Sequence, residues 1–316
     1  MPNPASLPEP LGLRHKRRRL KSIAFVPSLL TVGNLLCGFA AIHFALRAMY
    51  EFGAGISDDQ ILTLKSVQLE RVLPTSLSLG AGMVILGMFL DCFDGLIARV
   101  TRSTTNFGGQ LDSLADVVTC GAAPATLMIS FMTITLASDA ILPSPVSEHF
   151  LGRATWVSAA IYLAFAAIRL ARYNVEHDRA DFDYRMFRGL PSPGAASLIV
   201  AMILLHEQVS ALAAGIIVYS LPAAATATAF LMVSRIPYRR FYRTYLLGRQ
   251  PFGHFLVFVA VFAIFWSYRA PTLFVLVLWY WASGPVEWVY CVLRGKRRPA
   301  PPADASQADQ TSRRFA

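Results

Sequence analysis

Leu90-Asp91-Cys92-Phe93-Asp94-Gly95-Leu96-Ile97-Ala98-Arg99, continued to Gly108, Asp112 and Asp116, is the stretch that organises the chain. Asp91 and Asp94 follow the run Ala81–Leu90, which holds no charge, and Asp112 and Asp116 sit near the start of the apolar segment Leu111–Met132. A lipid-spanning helix loses roughly 2.5–3.5 kcal/mol for each central charge, so such residues are rare and usually functional. Four carboxylates at the ends of two consecutive spans predict a site inside a helical membrane protein.

The spacing gives that site a shape. Asp91 and Asp94 are three apart, and Asp112 and Asp116 four apart, so each pair shares a helix face. The intervening turn, Thr101-Arg102-Ser103-Thr104-Thr105-Asn106, is short and polar. It predicts two antiparallel neighbouring helices whose four carboxylates converge at one depth. Unpaired, that much negative charge repels itself. Hard divalent cations are the natural remedy, because carboxylate oxygens suit magnesium, manganese and calcium. Two such ions roughly 3.5–4 Å apart clamp phosphoryl groups in many transfer enzymes. Gly95, Ala98 and Gly108 are small, so a ligand or another helix can approach the backbone.

Of 316 residues, 55% are hydrophobic and 15% charged, with a mean hydropathy of +0.47. A soluble domain carries about 25% charged residues. The apolar excess comes in long runs, which predicts an all-α, polytopic membrane protein. Eight spans are expected, over 26–48, 74–98, 110–136, 153–173, 191–206, 210–233, 252–268 and 271–292. The segment 1–22 reads as a basic cytoplasmic anchor, 23–242 as a core of about six spans, 243–294 as two additional spans and 295–316 as a disordered tail. The net charge of +10 clusters beside the apolar runs, as anionic lipid headgroups and topology require, and does not call for nucleic acid.

The basic residues also orient the chain. Twenty-four Lys and Arg fall in the N-terminus, alternate loops and the C-terminal tail, and five fall on the other side. Both termini and the carboxylate cluster are therefore expected at the cytoplasmic face, in a bacterial inner membrane. Cys37, Cys92, Cys120 and Cys291 lack ligand spacing, and the six histidines do not cluster.

Three other stretches bear on chemistry. Asn34, in the first span, reads either as an interhelical hydrogen bond or as a contact to a nucleotide diphosphate. Arg169 and Arg172 share a face at the end of the fourth span and read either as lipid-phosphate anchors or as a carboxylate site. Arg188-Gly189-Leu190-Pro191-Ser192-Pro193 interrupts or starts a helix, freeing backbone groups at membrane depth, which is tolerated where they line a cavity.

Written out, the central stretch is Asp-x2-Asp-Gly-x2-Ala-Arg-x8-Gly-x3-Asp-x3-Asp. It resembles the signature of the CDP-alcohol phosphatidyltransferase family, with all eight fixed positions filled. The stretches at Asn34, Arg169–Asn174, Phe187–Ala196 and Leu231–Tyr238 resemble the phosphatidylserine synthase branch of that family. The resemblance implies a membrane enzyme with two divalent cations, Mg2+ or Mn2+, that displaces CMP from CDP-diacylglycerol with an alcohol. It further implies Asp91, Asp94, Asp112 and Asp116 as metal ligands, with Asp116 the general base. Asn34, Gly95, Ala98, Arg99 and Gly108 would line the CDP-lipid pocket.

The Asp/Gly signature does not select the alcohol. A zwitterionic acceptor needs a cation for its carboxylate, and Arg169, Arg172, Arg188 and Ser192 are the candidates; the branch resemblance implies L-serine. The family also suggests a homodimer. The rival readings are another acceptor (glycerol 3-phosphate, inositol phosphate or choline) and a divalent-cation transporter. A transporter needs carboxylates near mid-membrane, whereas these lie toward one face.

Overall fold

The structure, a computed structural model, describes residues 25–55, 73–101, 106–138, 150–177, 186–234, 236–239 and 269–294. The segments 1–22 and 295–316 and the expected span 252–268 lie outside the described residues. The helices are α1 (Phe25–Gly53), α2 (Ser76–Thr101), α3 (Asn106–Asp116), α4 (Ala123–Ser138), α5 (Phe150–His177), α6 (Ser192–His206), α7 (Ala211–Val233) and α8 (Arg269–Leu293). A π-helical turn, Val117–Ala122, joins α3 to α4 without a break. Strands β1 (Met186–Arg188) and β2 (Pro237–Arg239) pair antiparallel, with Phe187 opposite Tyr238.

The all-α, polytopic expectation holds, apart from this short ribbon. Six helical spans among the described residues are long and apolar enough to cross a bilayer, and α6, with 15 residues, is a shorter seventh apolar helix. A count of eight is therefore not reached among the described residues. Helices dominate because every backbone polar group in lipid must find its partner within the segment. Hydroxyls follow the same rule: Thr126, Thr133 and Thr155 donate to the carbonyls four residues back at 2.8–2.9 Å.

Small residues let the helices close up. α1 packs along α2 through the fully buried Ala41, Ala45 and Ala81. At Gly80 an added Cβ would stand 2.8 Å from Leu127 Cδ2 and 3.1 Å from the Ala41 carbonyl oxygen, so glycine is what permits this approach. Leu127, Met128, Met132, Ile199, Leu221 and Met232 fill the interior. Leu36, Phe39, Phe89, Trp156 and Tyr219 point outward, as side chains that meet acyl chains should.

A polar knot ties the end of the bundle opposite the aspartates. Buried Glu51 of α1 accepts from Ser76 Oγ at 2.6 Å and from Arg47 Nε at 2.5 Å. Nearby, Thr75 Oγ1 donates to Glu207 beyond the end of α6.

One expectation is corrected. The short turn predicts that α2 and α3 pack as neighbours, but their backbones barely touch, and both lean on α1 instead. The carboxylates of Asp91, Asp112 and Asp116 nevertheless converge across the gap between the two helices.

Candidate active site

The site is built at the end of the bundle where α1 and α3 begin and α2 and α5 finish. α2 supplies Asp91 and Asp94, α3 supplies Asp112 and Asp116, and α1 fills the gap with Thr31 and Asn34. One carboxylate oxygen from each of Asp91, Asp112 and Asp116 lies within 4.8 Å of the others. Like charges this close repel, and a cation among them relieves the repulsion. Asp112 Oδ1 is buried with no hydrogen-bond partner among the described residues.

These observations test the fit of a metal. The donor set is all carboxylate oxygen, its members converge, and one buried oxygen lacks a partner. A hard divalent cation suits such a set. Asp94 stands beside the trio and accepts from Thr31 Oγ1 at 2.8 Å.

Asn34 is fully buried and donates from Nδ2 to Asp116 Oδ1 at 3.3 Å. Of its two readings, the structure contains the interhelical bond, and the acceptor is a site carboxylate. Among the described residues, nothing lies within 4 Å of where a Cβ on Gly95 would be. Gly108 lies half-buried on the first turn of α3. Ala98 and Arg99 belong to the last turn of α2, and their side chains lie outside the described residues.

The two arginines of α5 part company. Arg169 Nη1 donates to Ser192 Oγ at 2.6 Å, while its buried Nε has no hydrogen-bond partner among the described residues. Its charge acts on Asp116. Arg172 Nη1 instead reaches the Val233 carbonyl at 3.5 Å, at the last residue of α7. Helix ends leave carbonyls without amides, and a cation there is favourable. Arg188 lies on β1 opposite Pro237, its side chain outside the described residues.

The turn into α6 explains why Ser192 sits where it does. Gly189 has φ +85, and a Cβ there would run into the Met232 and Ser234 carbonyls. Its amide donates to the Ile236 carbonyl at 2.9 Å, and that of Leu190 to Leu231 at 3.1 Å. Pro191 then takes the N-cap position and Pro193 the first turn, where a missing N–H costs nothing.

Sequence reasoning missed Thr31, which nevertheless lies three residues before Asn34 and so on its face. It also missed the π turn directly after Asp116. Thr119 of that turn donates to the Asn34 carbonyl at 2.9 Å, and glycines at 38 and 87 make room for it. A π turn is a recurrent device at functional sites, but no residue pattern announces it.

The chain's likeness to known proteins agrees with this geometry. A protein named CDP-diacylglycerol–serine O-phosphatidyltransferase from Mycobacterium leprae (strain TN) is 27% identical over 255 residues, covering 80% of this chain and 69% of that one. One of the same name from Bacillus subtilis (strain 168) is 28% identical over 217 residues, 69% of this chain and 91% of that one. Another, from Helicobacter pylori (strain J99 / ATCC 700824), is 36% identical over 126 residues, and the match spans 40% of this chain and 46% of the relative. The profile described as CDP-alcohol phosphatidyltransferase matches residues 24–233, a segment that holds all four aspartates, Asn34, Arg169 and Ser192. With its carboxylates converging in the splay between two membrane helices, the chain belongs to the CDP-alcohol phosphatidyltransferase family.

Proposed function

We propose that the chain transfers the phosphatidyl group of CDP-diacylglycerol to the hydroxyl of L-serine, giving phosphatidylserine and CMP. The observation that carries this reading is the pairing of the Asp91–Asp112–Asp116 trio with Arg169 on the neighbouring helix. The trio suits a diphosphate with its cations, and the arginine suits a carboxylate. The names of the relatives point to the same substrates.

In this reading Asp91, Asp94, Asp112 and Asp116 hold two divalent cations, magnesium or manganese. When bound, such ions neutralise the diphosphate and stabilise the charge that builds on the leaving CMP. The chain's own residues do the rest. Asn34 holds Asp116 Oδ1, leaving the other oxygen to take the proton from the serine hydroxyl. That hydroxyl oxygen forms a bond to the lipid-linked phosphorus as the bond from this phosphorus to the CMP oxygen breaks. Thr31 fixes Asp94. The face at Gly95, with Ala98, Arg99 and Gly108, accepts the CDP moiety, and the acyl chains stay in lipid.

Arg169 is the serine-binding candidate the geometry favours. Ser192 fixes one terminal nitrogen and so orients the guanidinium plane, and the Nε edge is left for a bidentate carboxylate. Arg172 caps a helix end, and Arg188 remains a secondary candidate. The 24-to-five split of basic residues supports a cytoplasmic site and cytoplasmic termini in the inner membrane. The homodimer the family suggests belongs to the same reading.

The decisive experiment offers CDP-diacylglycerol to membranes containing the protein, with L-serine, glycerol 3-phosphate, inositol phosphate or choline supplied separately. CMP release is expected with serine. Release with another alcohol and none with serine overturns the assignment of the acceptor.

A further inference from the structure

Helix α8 lies outside the 24–233 segment that matches the family, yet it packs on α6 and on β2. Trp281 Nε1 donates to Thr228 Oγ1 of α7 at 3.1 Å, and Tyr238 Oη of β2 donates to the Trp281 carbonyl at 3.1 Å. Gly284 receives the Tyr238 ring against its backbone. These bonds fix the position of one turn of α8, and that turn carries Tyr280.

Tyr280 lies beside the first turn of α6, the turn that carries Ser192. Its ring lies on Gly194, two residues after Ser192, where an added Cβ would come within 2.9 Å of Tyr280 Cε1. It stands within electrostatic reach of Arg169 and 5.8 Å, centroid to centroid, from the Tyr238 ring. A guanidinium gives two parallel bonds to a carboxylate only when its plane is held, and the bond to Ser192 holds one side of it. A large ring with few rotatable bonds beside it limits the space left for the acceptor.

We infer that Tyr280 is a specificity-determining residue of the acceptor pocket, its ring walling the Arg169–Ser192 pair and sizing it for a small amino acid. This rests on the reading of serine as acceptor. It also gives α8 a role in substrate choice beyond the family segment.

The test compares wild type, Tyr280→Ala, Tyr280→Phe and Gly194→Ala in membranes, with serine and the one-carbon-longer homoserine as acceptors. Tyr280→Ala is expected to raise KM for serine about tenfold while KM for CDP-diacylglycerol stays within about twofold, and to shift relative turnover toward homoserine. Tyr280→Phe keeps the ring and should stay within about twofold of wild type for both substrates. Gly194→Ala displaces the ring without removing it and should also raise KM for serine selectively; it decides the matter if Tyr280→Ala does not accumulate. An unchanged serine KM and homoserine ratio overturns the inference, and so does an equal loss for both substrates. Absence of serine turnover in the wild type is a separate failure, that of the assignment of the acceptor.

Discussion

Tyr162 Oη donates to the Cys120 carbonyl at 2.7 Å, across the interface between α5 and the π turn that follows Asp116. Both residues are buried. The amide that would serve the Cys120 carbonyl in an α-helix belongs to residue 124, which is proline and has no N–H. In a membrane interior a stranded carbonyl costs several kcal/mol. Tyr162 resolves this and locks the helix that presents Asp116.

Tyr162→Phe should therefore lower stability by about 1–3 kcal/mol, the cost of an orphaned buried acceptor. The thermal midpoint in detergent should fall, and kcat with it, because the π turn begins at the residue after Asp116. A midpoint equal to wild type would mean that the bond contributes nothing.

The carboxylate trio predicts strict metal dependence. EDTA should abolish CMP release, and added manganese or magnesium should restore it. Asp112→Asn keeps the volume of the side chain and removes a charged ligand, so the metal concentration for half-maximal activity should rise at least about tenfold. Full activity after stripping would exclude a metal site here.

Thr31→Val removes the hydroxyl that Asp94 accepts from and leaves the shape of α1 intact. One hydrogen bond to a charged group contributes about 1.5–3 kcal/mol. If Asp94 serves in the reaction only when held by Thr31, the variant should lose roughly 10- to 150-fold in kcat/KM with little change in thermal midpoint. A loss in midpoint without a loss in rate would assign the bond to folding.

Arg169→Ala should cut kcat/KM for serine by roughly 10- to 150-fold, the loss expected of one charge-assisted pair. Affinity for CDP-diacylglycerol should change much less. Arg169→Lys should rescue only in part, because an ammonium lacks the fork. Arg172→Ala, which uncaps α7, should act on thermal stability more than on KM for serine. Equal losses of both substrates in Arg169→Ala would move the serine site elsewhere, with Arg188 the next candidate.

Topology has its own check. A cysteine introduced at position 104 or 241, in a background free of the native cysteines, should react with an impermeant thiol reagent only from the cytoplasmic side. Labelling from outside would invert the chain.

The lessons of this chain divide along physical lines. Membrane insertion and helix content follow from long apolar runs, which local composition reveals, because lipid offers backbone groups no alternative partner. The aspartates were legible for a related reason: charge in such a run is costly, so its presence and helical spacing stand out. The partners of those aspartates were not legible. Thr31 and Asn34 reach Asp94 and Asp116 across 63 and 82 residues of chain, and nothing local marks which hydroxyl or amide will face which carboxylate. Likewise, Arg169 and Arg172 look equivalent at a spacing of three, yet packing gives one to Ser192 and the other to a helix end. The gap between α2 and α3, the Cys120 carbonyl satisfied by Tyr162, and Tyr280 brought from α8 onto Gly194 all depend on contacts between distant segments, which only the packed bundle specifies.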